Sequence, residues 1–443
     1  MIDFLILYEH KARELDSICL LKAALQQKGY SVVIEKTGYL NYAKYRKKAN
    51  RPKVILTYSM YDDSSVAVQV LTVGSSKVKK VVNLHWEEII DDNETAIKAH
   101  TPQQNAAKAT HICWGEGAFQ RLKNAGVENA VITGAMHIDF LRKEFAPMYL
   151  TREEICKNYH IPEGKMLLYI SSFNTYDLTE KEISILEEKL GNSFVQFLKE
   201  ADETKTTTIE WFKQLLADDH HLSIVYRPHP GENKDERLSE LEKNNRFFVI
   251  SDGTARQWIL ASDIITTWVS TAITEVYFAN KKCLIIRPYP ISHDVPLFDQ
   301  CKSINNYDDL LAEINNEDSP FPVDESKFKY HYANNGNRFA FQNVVDLLEK
   351  VYSSDSFDIP NYSLSVRLLA LRFRFKLFVK RMVVRFHISK KTFPFSLSKK
   401  FKEWIDLFYL TLEKEKSEEA TEEEINERVK LFTKIITGPI NDK

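Results

Sequence analysis

Short, apolar, β-branched runs alternate with helix-like segments along this chain, and the alternation starts afresh near residue 165. In the first half the runs are Phe4 to Tyr8, Ser31 to Glu35, Lys53 to Tyr58, Lys80 to Leu84, His111 to Trp114 and Ala130 to Thr133. Helix-like segments such as Arg13 to Lys28 and Pro102 to Ala109 lie between them. Strands that are apolar on both faces and separated by helices belong in a parallel sheet covered on each side. The second half repeats the pattern with Lys165 to Ser171, Leu222 to Arg227, Phe247 to Ser251, Asp263 to Thr267 and Lys282 to Arg287. A long helical stretch from Thr179 to Leu216 interrupts it, polar enough for a surface helical hairpin. The expectation is an α/β protein of two Rossmann-like doubly wound domains, residues 1–150 and 151–352, facing a cleft that is the default ligand site.

The 443 residues are too many for one ordinary core, and 44% apolar with 28% charged residues is a folding composition. The five cysteines, Cys19, Cys113, Cys156, Cys283 and Cys301, are odd in number and widely spaced, mostly in apolar runs. They read as core residues of a reducing compartment. Met1 to Tyr8 carries an early acid and no basic leader, so it reads as a first buried strand, and no uncharged run is long enough to span a bilayer. Neither a G-x-G-x-x-G turn nor a phosphate-binding G-x-x-x-x-G-K-[ST] loop is present.

After a polar linker, Ser353 to Pro360, the composition changes. Residues 361–402 contain twelve Lys or Arg and no Asp or Glu, interleaved with Phe373, Phe375, Phe378, Val379, Met382, Val383, Val384 and Phe386. Such a basic, apolar helical extension suits a membrane interface with anionic headgroups; the alternative is a helix that braces the domains. Nucleic acid fits poorly, because the rest of the chain brings the net charge to -2 and no recognition motif is present. The acidic run Glu413 to Glu427 reads as an exposed helix with little chemistry of its own.

The chemistry concentrates at Tyr226-Arg227-Pro228-His229-Pro230-Gly231-Glu232 and at Trp268-Val269-Ser270-Thr271-Ala272-Ile273-Thr274-Glu275. Two prolines fix a rigid turn at a strand's end. From it, His229 can donate to a phosphate oxygen and Arg227 can neutralise it bidentately. In the second segment Ser270 or Thr271 is a natural N-cap for a helix running through Ala279, a place that favours anions. Glu275 shares a face with Thr271 and suits a ribose hydroxyl, or else pairs with Lys281 or Lys282.

Residues 226–288 resemble the nucleotide-binding domain of GT-B glycosyltransferases, particularly bacterial sialyl and Kdo transferases, whose His-Pro turn and Ser/Thr-rich helix start hold the phosphate of a CMP-sugar. Over roughly 1–350 the chain is similar to the surface carbohydrate biosynthesis proteins of bacterial polysaccharide loci. That likeness rests on Glu9-His10-Lys11-Ala12-Arg13-Glu14-Leu15-Asp16, on His111 to Gly115, on Val131 to Gly134 with Asp139 to Arg142, and on Ser171-Ser172-Phe173-Asn174. The chain departs from it at His85-Trp86-Glu87-Glu88-Ile89, where relatives usually carry an acidic pair followed by another small residue, and at Ala135-Met136-His137, where they carry an Asn-Pro-Arg turn.

The resemblance implies an inverting transfer of a sugar from a nucleotide donor, without metal or other cofactor. Taken with the basic extension, the expected acceptor is a lipid-linked surface polysaccharide at the cytoplasmic face of the bacterial membrane. Such a transfer needs a base on the acceptor side. Glu88 and Glu87 lead the candidates, followed by Glu9, Asp16 and Glu14, while Lys11 and Arg13 are placed to bind an anionic donor or acceptor group. The alternatives are a CDP-polyol phosphotransferase of teichoic-acid type, a UDP-GlcNAc 2-epimerase-like enzyme, and a non-catalytic scaffold of a polysaccharide assembly complex.

Overall fold

The computed structural model describes residues 2–37, 45, 47–74, 76–88, 90, 93–173, 192–291, 294, 296–316, 321–359, 361–386, 408–409, 412–413 and 416–438. The chain forms two compact units. One comprises Met1–Ile89, Asn93–Asp139 and Lys329–Lys443, the other Ile90–Asp92 and Phe140–Phe328.

The first unit is built on six parallel strands: β1 (Ile2–Tyr8), β2 (Val32–Lys36), β3 (Pro52–Thr57), β4 (Lys80–Asn83), β5 (Thr110–Cys113) and β6 (Ala130–Ile132). Their order is β2-β1-β3-β4-β5-β6. In β1, Phe4, Leu5, Ile6 and Leu7 are all fully buried, which is why the run is apolar without alternation. The helix Lys11–Gln27 covers one side of the sheet with Leu15, Ile18, Leu21 and Leu25.

The second unit repeats the architecture with β7 (Lys165–Ile170), β8 (Leu222–Arg227), β9 (Phe247–Val249), β10 (Ile264–Thr267), β11 (Lys282–Ile286) and β12 (Lys302–Ile304), ordered β12-β11-β10-β7-β8-β9. Thr267, Ile170 and Arg227 are aligned across β10, β7 and β8, so these three strands end together. Both units are therefore Rossmann-like, each with one reversal of strand order: between β1 and β3 in the first, between β7 and β10 in the second. Open parallel sheets bind ligands outside the carboxyl ends of the strands at such reversals.

Residues beyond 328 return to the first unit. The helix Ala340–Ser353 buries Phe341, Val344, Leu348 and Val351 there. Its N-terminus is capped from a distance: the buried Asp139 carboxylate accepts the N–H groups of Ala340 and Phe341 at 3.0 and 2.8 Å, satisfying two of the donors that a helix start leaves open.

Several local expectations are corrected. Pro102 to Ala109 contains only a single helical turn, Ala106–Lys108. Its backbone is held instead by tertiary bonds, Gln103 N–H to Tyr61 O and Asn105 N–H to the Asp63 carboxylate. The edge strand β12 carries one buried apolar residue, Ile304, too little pattern to read from sequence. Asn192–Asp218 is one continuous helix with Trp211, Phe212, Leu215 and Leu216 in the core; the portion 179–191 of the expected hairpin, like Asn174, lies outside the described residues. The acidic run ends in a helix, Glu422–Thr437, that is not a detached surface element. It packs on Lys11–Gln27 and buries Phe432, Ile435 and Ile436. Of the basic extension, Leu364–Arg385 is a helix lying on the first unit, while 387–402 fall outside the described residues.

Candidate functional site

In the second unit, the carboxyl end of β7 joins the two motifs that flank it. Ser171 Oγ donates to the Glu232 carboxylate at 2.5 Å, and Ser172 Oγ accepts the Val269 N–H at 3.1 Å. The first serine thus fixes the turn after β8, and the second fixes the segment after β10. With strands about 4.8 Å apart, the two motifs stand roughly 10 Å from each other on one sheet edge.

The turn itself is over-determined. Glu232 also accepts from Tyr226 Oη at 2.6 Å and from the His229 N–H at 3.1 Å. Its charge is met by Lys205 Nζ at 2.9 Å, and the same ammonium lies 3.0 Å from Asp235. Lys205 and Glu232 are only 7% and 2% exposed, so the pair is shielded from water. Within the turn, His229 Nδ1 accepts the Gly231 N–H at 3.1 Å. A neutral imidazole so arranged carries its hydrogen on Nε2, and among the described residues no hydrogen bond takes up that donor.

Arg227 is placed differently from the bidentate phosphate clamp expected of it. Its two terminal nitrogens donate to the carbonyls of Asp252 and Gly253 at 2.8 and 2.6 Å, tying the loop after β9 to the end of β8. The helix after β10 runs only over Ile273–Phe278 and its N-cap is Ala272, not Ser270 or Thr271. Ser270 Oγ is drawn into a turn before the helix, accepting the Ala272 N–H at 3.3 Å. Thr271 is exposed beside it. Among the described residues, no backbone hydrogen bond uses the N–H of Ser270 or Thr271. Glu275 pairs with neither Lys281 nor Lys282; Arg256 Nη1 lies 3.3 Å from it.

In the first unit the acidic candidates separate by environment. Glu14 is fully buried and its carboxylate accepts the N–H groups of Glu9 and His10 at 2.9 and 3.2 Å, closing the start of its own helix. Arg13 bridges Glu14 to the exposed Glu87. Lys11 and Asp16 both face the C-terminal helix: Lys11 Nζ reaches Glu424 at 2.6 Å and Asp16 accepts Arg428 Nε at 3.0 Å. Glu9 stands at the end of β1 on the rim of a cavity.

Glu88 differs from all of these. It follows β4 and its Oε1 accepts the Trp114 N–H, at the end of β5, at 2.8 Å. Burial pushes its carboxyl up to about 8, against the opposing pull of that N–H and of the Arg121 cation. The wall beside it is tight. A Cβ on Gly115 would lie 2.4 Å from the His331 backbone, so only glycine lets residues 330–331 approach. Trp114 stacks on Tyr332 and meets the edge of His137.

Sequence reasoning missed the buried histidine pair behind Glu88. His111 Nε2–H donates to Ala106 O at 2.9 Å, which leaves Nδ1 to accept from His85 Nε2–H at 2.8 Å. His85 leaves β4 in the left-handed conformation, φ 45°, which non-glycine residues seldom adopt outside constrained sites. Among the described residues, no three His, Cys, Asp or Glu side chains are grouped to hold a metal ion.

No family model matches this sequence, and no curated protein sequence matches it. Solved structures do match. A UDP-N-acetylglucosamine 2-epimerase from Listeria monocytogenes superimposes with a TM-score of 0.52 at 14% identity, covering 82% of this chain and 99% of its own. MnaA of S. aureus, solved with UDP, gives 0.51 at 15% identity, covering 82% and 100%. An H444N variant of the wall teichoic acid polymerase TagF gives 0.50 at 13% identity, covering 79% and 89%. The chain has the GT-B fold. At these identities the likeness concerns architecture, and both Rossmann-like sheets described above take part in it.

Proposed function

We propose that this chain is an inverting, metal-independent glycosyltransferase. It moves a sugar from a nucleotide donor, a CMP-sugar in the favoured case, onto a lipid-linked surface glycan. The observation that supports it most is the edge shared by β8, β7 and β10, where Ser171 and Ser172 hold the His229 turn and the Ser270 segment side by side. That edge is the strand-order reversal of the second sheet, the ordinary place for a phosphate-bearing ligand.

The donor's phosphate accepts from His229 Nε2–H, Ser270 and Thr271, with their free N–H groups. Arg227 and the Arg256–Glu275 pair act as positioning groups, and Glu275 remains the residue nearest in kind to a ribose contact. In the transfer step the acceptor hydroxyl oxygen bonds to the anomeric carbon, and the bond from that carbon to the phosphate oxygen breaks. The electron pair leaves on the nucleotide, stabilised by His229. Glu88, whose carboxyl burial pushes up to about 8, is the base candidate of the first unit for taking the hydroxyl proton. That two of the matching structures are UDP-GlcNAc 2-epimerases or a protein bound to UDP supports a nucleotide-sugar as the ligand class.

A membrane location accords with the Leu364–Arg385 helix. One face is buried through Val366 and Ala370, and Arg374 donates to Leu71 O. On the opposite side Leu364, Leu368, Leu371, Phe375 and Phe378 are each more than half exposed. At 100° per residue they fall within an arc of about 80°, flanked by Arg367, Arg372, Lys376 and Arg385. An apolar stripe between cations suits an anionic leaflet. No described helix is long and apolar enough to cross a membrane.

Release of CMP from a CMP-sugar is the test. Release that requires a lipid-linked glycan and yields a lengthened glycan supports the reading. Turnover of a UDP-sugar with no acceptor present, or transfer of a polyol phosphate, contradicts it.

A further inference from the structure

The strand-order reversal of the first sheet, between β1 and β3, opens into a cavity of about 560 Å3, within the usual range for small-molecule sites. Its walls come from both strand ends, Glu9 after β1 and Tyr58 and Ser59 after β3. Its far side is the π-helical segment Val66–Thr72, a rare geometry found mostly at functional sites. Gln69 projects from that segment. It is 2% exposed, its Nε2 donates to Ser59 O, and its Oε1 accepts nothing among the described residues. A buried carbonyl oxygen left without a donor is destabilising unless a ligand or water supplies one. Charge narrows the class of ligand. The carboxylates of Glu9 and Asp62 face one ammonium, Lys98, so a phosphate is disfavoured and an uncharged polyol is suited to the mixed donors and acceptors.

We infer that this cavity is the acceptor subsite and takes the hydroxyl groups of the terminal sugar of the glycan. The inference deepens the transferase reading and rests on it for the identity of the ligand as an acceptor. The same π-helical segment carries the amphipathic helix, through Arg374 on Leu71 O. A sugar seated against Gln69 therefore lies one helical layer from the surface proposed to touch lipid. A lipid-linked acceptor needs that juxtaposition, because its sugar must enter the protein while its anchor stays in the bilayer.

Saturation-transfer NMR on the full chain tests it, with methyl glycosides of hexoses, 6-deoxyhexoses and N-acetylhexosamines as probes and CMP and UDP titrated separately. At least one glycoside is expected to bind, and its affinity to fall at least tenfold in both Gln69→Leu and Ser64→Trp with nucleotide binding unchanged. Ser64→Trp fills the cavity from its rim, so the test survives if Gln69→Leu fails to fold. The inference is overturned if no glycoside binds, if binding is indifferent to the variants, or if nucleotide binding disappears together with glycoside binding. Glycoside binding in a protein that binds no nucleotide strikes the donor reading and leaves the cavity as a sugar site.

Discussion

Ser171 Oγ donates to the Glu232 carboxylate at 2.5 Å, so the strand at the reversal of the second sheet holds the His-Pro turn of its neighbour. The turn owes its rigidity to this bond as well as to its prolines. Ser171→Ala should cost about 1 kcal/mol of stability and weaken nucleotide affinity severalfold. Glu232→Ala leaves the buried Lys205 with Asp235 as its remaining carboxylate and removes the acceptor of Tyr226 Oη and the His229 N–H, so it should cost more, about 2–3 kcal/mol. Urea denaturation and nucleotide titration on the same samples check both. Equal nucleotide affinity in wild type and a folded Ser171→Ala protein would show that the turn needs no support from β7.

Glu88→Gln separates catalysis from stability. The wild-type carboxyl titrates near 8 instead of in the usual carboxylate range because burial disfavours its charge. Turnover should therefore rise with pH through about 8 as the base form appears, and Glu88→Gln should lose it by about 10²–10⁴-fold. Stability runs the other way. A carboxyl whose folded pKa is raised stabilises the fold below its unfolded pKa, and that contribution is lost as pH rises through 8. The glutamine variant, which can still accept the Trp114 N–H, should then melt higher than wild type at pH 8 to 9, with the gap closing toward pH 5. A lower melting temperature at pH 9 would contradict this.

The histidine pair predicts the acid side of the stability profile. His111 is pushed down to about 4 by burial, and His85 lies well below its ordinary value through burial and the neighbouring His111. Both are neutral in the fold, so their contribution is complete above pH 6.5 and is lost as pH falls toward 4. The expected slope is about 1.4 kcal/mol per pH unit for each imidazole. Urea midpoints from pH 7 to 4 should decline less steeply in His111→Gln; parallel curves would mean that other groups govern acid unfolding.

How much of this was legible in the sequence follows from range. The strands were readable because residues such as Phe4 to Leu7 are buried on both faces and so carry an unbroken apolar run. The His-Pro turn was readable because proline dictates backbone locally. Glu232 belongs to the same motif, yet its role depends on Ser171, 61 residues away, and on Lys205 in the helix Asn192–Asp218. Lys11 and Asp16 looked available beside β1, but their partners Glu424 and Arg428 lie more than 400 residues on. Arg227 looked like a phosphate clamp because nothing local reveals that two carbonyls of the β9 loop will claim it. The β1/β3 cavity depends on strand order, which no local pattern encodes.

Two charges placed on the exposed stripe should detach the protein from lipid. Leu371→Glu with Phe375→Glu leaves the buried Val366 and Ala370 face intact, so melting should be unchanged. Cosedimentation with vesicles containing phosphatidylglycerol should fall sharply, and wild-type binding should weaken with salt, each nearby Lys or Arg being worth about 1 kcal/mol at the surface. Undiminished cosedimentation of the double variant would assign Leu364–Arg385 a bracing role alone.

The central claim is that the edge joining β8, β7 and β10 grips a nucleotide phosphate through His229. Calorimetric titration of the full chain with CMP and UDP, in wild type and in His229→Ala, tests it most directly. Binding of at least one nucleotide, weakened tenfold or more in a variant with an unchanged melting temperature, is the expected result. No heat with either nucleotide, or equal affinity in the two proteins, would contradict it.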